Sequence, residues 1–514
     1  MSGNRSADPT LARLADAILI PPFPGHKPPR WLLAALERGL AGVTVFGPNI
    51  ADPGQIEALT AELRSAGGSP LIAIDEEGGD VTRIAQLTGS PYPGNAALGA
   101  VDDTALTAEV YRALGTDLAA LGITVDLAPS VDVNTAADNP VIGTRSFGAD
   151  TSLVSRHAAA AVTGLQAAGV AACAKHFPGH GSTRLDTHDT LVTVDADLDL
   201  LARRDLPPFT AAIKAGVHCV MPGHLRVPEL TGDLPATLSP AALTGLLRGE
   251  LGFSGVIISD ALEMRAVSRP YGIPEAAVLA AAAGTDLLCL GRDQSEDGYL
   301  AVRRALCDAV AAGRLPAARL EEAAGRVADL RAWLGHAGPP AGQPAGHPVG
   351  GLAERLAGHL AAAGWGAQVG LRAARRAARI SGPVRPLTNP VVLEVSAREN
   401  VAVGGVPWGL SPWLPEDAIQ RVPASLAASA VPALVDAALA RAAGRSLIVV
   451  VRDAHRYQVA RDVATRILQA RPDAVIVEMG LPLWRPPAGR HLATYGAAHT
   501  NARAAAEILG LTAR

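Results

Sequence analysis

The chain has 514 residues, of which 49% are hydrophobic and 18% are charged, so its composition is that of a globular protein and not of a disordered one. That length is enough for two or three domains. The formal net charge of -4 offers no basic surface of the kind that nucleic-acid binding needs, and we expect no nucleic-acid partner. No uninterrupted run of about 18 apolar residues is present, so no membrane span is expected.

The cysteines and the first residues bear on the cellular compartment. Four cysteines are scattered without a CxxC pair, and three of them lie in apolar runs typical of small buried side chains. This pattern argues against a disulfide scaffold and fits a reducing compartment. Residues 1–26 have no long apolar stretch after their basic residues, so they resemble the start of a domain and not a signal peptide. We therefore expect a cytoplasmic protein.

The first two-thirds of the chain alternate short apolar runs with longer Ala- and Leu-rich stretches. Eight runs have the length of buried strands, with helix-length spacers between them: 17–23, 42–47, 70–79, 123–133, 170–181, 218–228, 255–264 and 285–291. Such alternation is typical of a parallel sheet. Eight units over roughly 330 residues predict a (β/α)8 TIM barrel. A doubly wound sheet is the alternative, but it would need no such regular count.

A Pro- and Gly-rich stretch follows the predicted barrel. Residues 336–350 read HAGPPAGQPAGHPVG, which is typical of a linker. The rest of the chain combines helical stretches with three apolar runs, at 390–396, 446–453 and 473–480. We predict a barrel domain over 1–335, a linker over 336–350 and a smaller open α/β domain over 351–514.

Polar side chains cluster where the predicted strands end. Several runs are apolar in their first half and turn polar or Gly/Pro-rich in their second half. In a TIM barrel the carboxyl ends of the strands form the catalytic face. We expect five side chains at these ends to converge in space: Asp75, Lys175, His176, His224 and Asp260.

The segment 174–190, AKHFPGHGSTRLDTHDT, carries three histidines directly after an apolar run. Its proline and two glycines cannot continue regular structure, so it is a loop. Asp186 and His188 are two residues apart, which allows the carboxylate to orient an imidazole that exchanges protons near neutral pH. Surface histidines without a role are one alternative. A zinc site is another, with His176, His180, Asp186 and His188 as ligands, although their spacing matches no HExxH or CxxC ligand set.

The run 252–267, GFSGVIISDALEMRAV, places Asp260 just past a buried strand. A charge there is costly to desolvate unless it is used or paired. A carboxylate at the mouth of a barrel can attack an anomeric carbon and form a glycosyl-enzyme intermediate. Capping of the next helix by Ser259 and Asp260 is the alternative.

Two further motifs place charges beside glycines. In AIDEEGGDVTRI, 73–84, three acids follow a strand, and a carboxylate there would accept sugar hydroxyls with Arg83 as the cation that keeps it ionised. The spacing fits neither an EF-hand nor a Mg²⁺ site. In NPVIGTRSFGAD, 139–150, the guanidinium of Arg145 can grip carbonyl or hydroxyl groups, although a structural salt bridge fits equally well.

Together these motifs resemble glycoside hydrolase family 3, and within it the NagZ-type β-N-acetylglucosaminidases. IDEEGG, NPVIGTRSFG, KHFPGHGSTRLDTH, PATLS and GFSGVIISDALEM occur in the family's order, and KHFPGHG followed by Asp-x-His is specific to this subgroup. The resemblance implies a retaining exo-β-N-acetylglucosaminidase that acts on a substrate with terminal GlcNAc and uses no cofactor or metal. It also implies that 351–514 forms the α/β sandwich that follows the barrel in longer members.

The resemblance implies roles for individual residues. Asp260 matches the catalytic nucleophile, and His188, partnered by Asp186, matches the histidine acid/base of the subgroup. Five residues match positions that bind the sugar in the −1 subsite: Asp75, Arg83, Arg145, Lys175 and His176. Two departures concern this subsite, because Thr144 stands where an Asp is common and Asp80 where an Arg is common.

Several alternatives remain open. A neutral histidine base does not repel an anionic acceptor, so phosphate could replace water and make the protein a phosphorylase. A non-catalytic glycan-binding barrel and a metallohydrolase are further hypotheses, and a β-glucosidase would leave the Asp-Thr-His sequence at 186–188 unexplained. Peptidoglycan-derived GlcNAc-anhydro-muropeptides fit a cytoplasmic enzyme, while chitin oligosaccharides or glycoconjugates also carry the required sugar.

Overall fold

The computed structural model describes residues 8–185, 190–292, 294–336, 365–382, 387, 389–396, 402–486 and 488–511. Contacts divide the chain into two compact units of three segments each. Unit 1 comprises Met1–Glu76, Thr107–Val133 and Ala149–Gly358, and unit 2 comprises Glu77–Leu106, Asn134–Gly148 and His359–Arg514. Two segments that follow predicted barrel strands therefore belong to unit 2 by their contacts. The domain boundaries at 335 and 351 stay predictions, because 337–364 lie outside the described residues.

Unit 1 contains a closed ring of eight parallel strands. In chain order the strands of this unit are β1 Leu19–Ile20, β2 Gly42–Val45, β3 Leu71–Ile74, β4 Val125–Asp126, β5 Ala171–Phe177, β6 Val192–Thr193, β7 Cys219–Pro222, β8 Leu225–Arg226, β9 Val256–Ile257 and β10 Leu288–Cys289. Strands β6 and β8 form a separate pair, and the other eight form the barrel.

The ring closes through hydrogen bonds around β1. Six strands run in the order β2-β3-β4-β5-β7-β9, and β1 pairs with β10. A parallel bridge between Ile258 and Leu287 joins β9 to β10, and the backbone N of Thr44 donates to the carbonyl of Pro21 at 3.3 Å between β2 and β1. Each of the eight apolar runs contains one barrel strand, so the predicted TIM barrel is confirmed.

The strands are buried on both faces, which is why they read as nearly continuous apolar runs. Leu71 and Ala73 of β3 belong to a core cluster with Cys173, Met221 and Val256 from other strands. The intervening Ile72 and Ile74 are equally buried on the opposite face of the sheet.

The helices separate the strands as the pattern predicts. Numbered along the described parts of the chain, they are α1 Pro9–Asp16, α2 Arg30–Glu37, α3 Pro53–Ser65, α4 Asn95–Val101, α5 Thr104–Ala120, α6 Thr151–Ala167, α7 Leu198–Arg204, α8 Leu206–Lys214, α9 Pro228–Thr231, α10 Arg265–Tyr271, α11 Ile273–Ala283, α12 Glu296–Ala311, α13 Ala317–His336, α14 Trp365–Ala377, α15 Val431–Arg441, α16 Gln458–Ala470 and α17 His499–Leu509. Residues Ala241–Glu250 form a π-helix. Within the described parts of the chain, no helix is both long and apolar enough to cross a membrane.

Unit 2 contains a six-stranded mixed sheet. Its strands are β11 Arg379–Ser381, β12 Val391–Ser396, β13 Ile419–Pro423, β14 Leu447–Val451, β15 Val475–Glu478 and β16 Arg490–Ala493, in the order β11-β16-β15-β14-β12-β13. Only the β11–β16 pair among them is antiparallel. One face packs on α15 and α16 and the other on α17, so unit 2 is an α/β sandwich as expected.

A buried ion cluster lies at the amino end of β10. Asp286 is fully buried, and its carboxylate accepts the backbone N–H of Ile257 at 2.9 Å. It forms ion pairs with the guanidinium groups of Arg248, Arg319 and Arg326. The cluster lies away from the carboxyl ends of the strands, so its role is structural.

Replacing Asp286 by alanine should leave these three guanidinium groups without their shared carboxylate. Breaking a buried ion pair costs about 3–5 kcal/mol, so we expect the melting temperature of Asp286→Ala to fall by roughly 5–10 °C. Thermal unfolding followed by circular dichroism measures this. The control is Asp308→Ala, at an exposed position of α12, which should melt with the wild type. A decrease of less than about 2 °C for Asp286→Ala would contradict the assignment.

Candidate functional site

Two strand ends of unit 1 bring a lysine and an aspartate together. Asp75 directly follows β3, and Lys175 lies near the carboxyl end of β5. The Nζ of Lys175 donates to Oδ1 of Asp75 at 2.7 Å, and the two side chains are 2% and 24% exposed. The ammonium orients the carboxylate, which keeps acceptor sites for the hydroxyls of a ligand. The sequence indicated both residues but not that they form a pair.

A fully buried aspartate holds the next residue of β5. Oδ2 of Asp132 lies 2.8 Å from Nδ1 of His176, and its Oδ1 accepts the backbone N–H of His180 at 2.6 Å. Burial alone would raise the pKa of Asp132, but the charges and hydrogen bonds of the two histidines lower it below its ordinary value. An ionised Asp132 therefore accepts a hydrogen bond from Nδ1–H of His176 and so fixes the orientation of this ring.

His180 has a structural position. The side chain is buried, its Nδ1 lies 2.7 Å from Oγ1 of Thr183, and its ring meets that of His176 edge to face at 5.8 Å. Together with its backbone bond to Asp132, these contacts anchor the loop that leaves β5. A structural role thus accounts for His180, to which the family resemblance assigned no catalytic role.

Asp260 lies three residues beyond the end of β9. It is half-buried, and its Oδ1 accepts the backbone N–H of Ala261 at 2.8 Å. The carbonyl of Ala261 in turn lies 3.0 Å from Nε2 of the buried His224. Helix α10 begins at Arg265 with Met264 as its N-cap, so Asp260 does not cap this helix. His224 thus fixes the backbone beside Asp260, a role that its position in the sequence did not reveal.

In unit 2, Arg145 forms a buried bidentate ion pair. Its Nε and Nη2 donate to the two carboxylate oxygens of Glu77, at 2.9 and 2.6 Å. The structural salt bridge that the sequence left open is therefore present. Arg83, also in unit 2, donates from Nη2 to the carbonyl of Ala402 at 2.8 Å.

The two departures from the family pattern belong to one network in unit 2. Oδ2 of Asp80 accepts hydrogen bonds from Oγ1 of Thr144 at 2.6 Å and from Nη2 of Arg452 at 2.9 Å. Its Oδ1 accepts the backbone N–H of Ala497 at 2.9 Å. A hydroxyl at 144 and a guanidinium at 452 thus satisfy the carboxylate at 80, which accounts for both unusual residues.

Arg145 and Arg452 also line a cavity in unit 2 of about 140 Å³. This is close to the roughly 150 Å³ that holds a benzene molecule in an apolar protein cavity. The guanidinium of Arg452 lies 6.0 Å from the ring of Trp408, and that of Arg456 lies 5.6 Å from the ring of Tyr457. The lining therefore combines hydrogen-bond donors with aromatic faces, as sites for small polar ligands do.

Asp186 and His188 lie outside the described residues, so the predicted dyad stays a prediction. The zinc hypothesis, which counted both as ligands, is likewise untested. Within the described ranges, no group of three or more His, Cys, Asp or Glu side chains is placed to hold a metal ion.

A lysine, a histidine and two carboxylates at the carboxyl ends of parallel strands define unit 1 as a TIM-barrel enzyme. A family model described as the glycosyl hydrolase family 3 N terminal domain matches residues 32–330. The chain belongs to glycoside hydrolase family 3.

Named relatives agree with this membership. Beta-hexosaminidase A of Pseudoalteromonas piscicida is 35% identical over 320 residues, which are 57% of this chain and 53% of that protein. Beta-hexosaminidase LpqI of Mycobacterium tuberculosis is 39% identical over 274 residues, 52% of this chain and 70% of that protein. The chain thus spans about half the length of the first relative and somewhat more of the second.

A solved structure matches nearly the whole chain. The family 3 β-N-acetylglucosaminidase of Paenibacillus sp. str. FPU-7 aligns with a TM-score of 0.82 and 31% identity. The alignment covers 97% of this chain and 96% of that one, so it includes both the barrel and the sandwich.

Proposed function

We propose that the protein is a retaining exo-β-N-acetylglucosaminidase that removes terminal β-linked GlcNAc. The observation that carries the proposal is the position of Asp260, half-buried at the carboxyl end of a barrel strand on a backbone that His224 fixes. The Lys175–Asp75 pair provides a charged acceptor for sugar hydroxyls at the end of another strand. The name of the Paenibacillus enzyme supplies the identity of the sugar, and the two other relatives are named beta-hexosaminidases.

In the first step the carboxylate of Asp260 attacks C1 of the sugar while the bond from C1 to the aglycone oxygen breaks. Protonated His188 gives its proton to that leaving oxygen, and Asp186 orients the ring. The product is a glycosyl ester on Asp260 with inverted configuration.

In the second step neutral His188 takes a proton from water, and the water oxygen attacks C1 as the bond to Asp260 breaks. The second inversion restores the β configuration and the free carboxylate. Asp75, Lys175 and His176 hold the sugar during both steps. Arg83 and Arg145 remain proposed sugar ligands on the strength of the sequence pattern.

The reaction is tested with 4-nitrophenyl β-GlcNAc and the corresponding β-glucoside. We expect nitrophenol release from the first substrate, a much slower release from the second, and β-GlcNAc as the first product in a ¹H NMR time course. His188→Ala should lose this activity. Full-rate formation of free GlcNAc without phosphate supports a hydrolase. Formation of GlcNAc-1-phosphate only when phosphate is present would replace the proposal by a phosphorylase.

We extend the proposal to a cytoplasmic enzyme that acts on peptidoglycan fragments. All four cysteines are buried free thiols, which favours a reducing compartment. Comparing kcat/KM for GlcNAc-anhydro-N-acetylmuramic acid and for chitobiose tests the choice of aglycone. A clear preference for chitobiose would contradict the peptidoglycan assignment.

A further inference from the structure

Asp205 is a buried carboxylate that the reaction does not use. It lies between α7 and α8 of unit 1 with a fully buried side chain. Its Oδ2 pairs with the neighbouring Arg204, at 2.8 Å from Nη2 and 3.0 Å from Nε. Its Oδ1 is buried without a hydrogen-bond partner among the described residues. Burying a charged oxygen without a hydrogen bond destabilises the fold, so a structural role alone does not explain a carboxylate at this position.

Asp205 and its partner Arg204 contact the loop that follows β5 at two points. Gly179 has φ of 137°, and a Cβ built there would lie 2.7 Å from Cβ of Asp205 and 3.0 Å from its Oδ1. The backbone of the loop therefore packs directly on the side chain of Asp205, and any residue larger than glycine at position 179 would clash with it. Further along, Nη2 of Arg204 donates to Oγ of Ser182 at 3.1 Å. Asp205 thus supports the segment 179–185 through direct packing and through Arg204.

The same loop is tied to the sugar-binding side of the barrel. The backbone N–H of Gly179 donates to the carbonyl of His176 at 2.8 Å, and that of His180 donates to Asp132. Asp132 also holds the ring of His176. The loop therefore contacts two buried carboxyl groups, Asp132 through the backbone of His180 and Asp205 through the backbone of Gly179.

The pKa values of Asp205 and Asp132 are shifted in opposite directions from their ordinary value. Burial raises the pKa of Asp205 to about 6; Arg204 opposes the rise, and the negative charge of Asp132 adds to it. The histidines at 176 and 180 lower the pKa of Asp132. Among the described residues, the charged groups that act on Asp205 are Arg204 and Asp132, and His176 and His180 in turn act on Asp132. Near neutral pH both carboxyl groups are ionised, and as the pH falls through about 6 Asp205 takes up a proton while Asp132 stays ionised.

The effect of Asp205 on folding stability distinguishes a role in stabilising the fold from a role in catalysis. The pKa of Asp205 is raised in the folded protein, so the folded state binds the proton more tightly than the unfolded state. This contribution to stability is fully present below the ordinary value of 3.8 and is lost as the pH rises through about 6. At neutral pH the ionised side chain therefore destabilises the fold. Replacing it by a neutral isostere should not lower the melting temperature there.

We propose that Asp205 is a positioning residue that holds the loop Gly179–Leu185, through Arg204 and Ser182, in the conformation needed for catalysis. The role rests on the proposed glycosidase activity for its kinetic readout. Protonation of Asp205 weakens the charge-assisted bond to Arg204 and so releases the grip on Ser182. The wild type should therefore lose part of its activity as the pH falls through about 6.

The test is Asp205→Asn, which keeps the shape and removes the charge. At pH 7.5 we expect kcat/KM to fall roughly tenfold, while the melting temperature stays the same or rises. Below about pH 5 the rates of variant and wild type should converge, because Asp205 is then protonated in the wild type as well. The matched control is Asp199→Asn on the preceding helix α7, where the carboxylate is 88% exposed, and it should match the wild type at every pH.

Two further measurements keep the outcomes distinct. Arg204→Gln should reproduce the loss, and the double variant Asp205→Asn with Arg204→Gln should lose little more than either single variant. Hydrogen exchange of the segment 179–185 should be faster in Asp205→Asn than in the wild type at pH 7.5, and this needs no substrate. An inactive wild type with this exchange difference would contradict the glycosidase proposal alone. Unchanged exchange, or an equal activity loss at all pH values with a lower melting temperature, would overturn the positioning role.

Discussion

Asp260→Asn is expected to lower kcat/KM for 4-nitrophenyl β-GlcNAc by on the order of 10⁴-fold. A carboxylate oxygen of Asp260 forms the bond to C1 in the covalent intermediate, and the amide of asparagine is a far weaker nucleophile. The side chain is half-buried and bonded to the N–H of Ala261, a bond that the amide oxygen of asparagine can also accept. Folding should therefore be preserved while the chemical step is lost. Steady-state kinetics with circular dichroism of the same samples measure both.

The control is Asp233→Asn, at a fully exposed carboxylate of the same unit, which should retain wild-type kinetics. Azide provides a second, independent readout with Asp260→Ala. With the nucleophile removed, azide can attack C1 from the vacated face and release the α-glycosyl azide. More than about a tenth of wild-type activity in Asp260→Asn, or formation of the β-azide, would exclude Asp260 as the nucleophile.

The barrel was predictable because each strand obeys the same rule. A parallel strand buried on both faces must be apolar throughout, and its functional residues must come after it. The runs around Ile74, Cys173 and Ile257 each show this switch from apolar to polar. The sequence therefore predicted both the eight strands and the positions of Asp75, Lys175, His176 and Asp260.

The partners of these residues were not predictable from spacing. Asp132 ends an apolar run and looks like an ordinary strand residue, yet it holds His176 from 44 positions away. Lys175 and Asp75 are 100 positions apart, and their pairing follows from the strand order β3-β4-β5, which spacing along the chain does not reveal. In the sequence Asp205 resembles an ordinary acidic residue at a helix boundary, and its burial depends on tertiary packing that spacing does not reveal. A signal was present in each case: a charged residue within or beside an apolar segment needs a partner.

In unit 2 the sequence identified three interior strands and missed β11, β13 and the interior strand β16, whose sequence RHLA is half polar. β12, β14 and β15 are buried apolar runs and were predicted. β13 is only partly buried, and β11 is exposed, so neither shows the apolar signal. The pairing of Asp80 with Arg452 across 372 positions was equally invisible, although the unusual residues at 80 and 144 pointed to a change there.

Lys175→Met is expected to lower kcat/KM by about 10²–10³-fold. Methionine fills a similar volume, but it leaves the carboxylate of Asp75 without the ammonium that lies 2.7 Å from it. A carboxylate that has lost its orienting cation holds sugar hydroxyls poorly, and the loss should appear in KM as well as in kcat. The control is Lys214→Met, on an exposed position of α8, which should leave both constants unchanged.

A double-mutant cycle shows whether the lysine and the aspartate act together. Asp75→Asn alone should also lose activity, because it removes the charged acceptor and the carboxylate that lies 2.7 Å from the buried ammonium of Lys175. If the two side chains act as one unit, the double variant will lose little more than the worse of the two single variants. Additive losses would mean that each residue contacts the substrate independently. The Lys175–Asp75 ion pair would then be a by-product of their shared position, and Asp75 would not depend on Lys175 for its orientation.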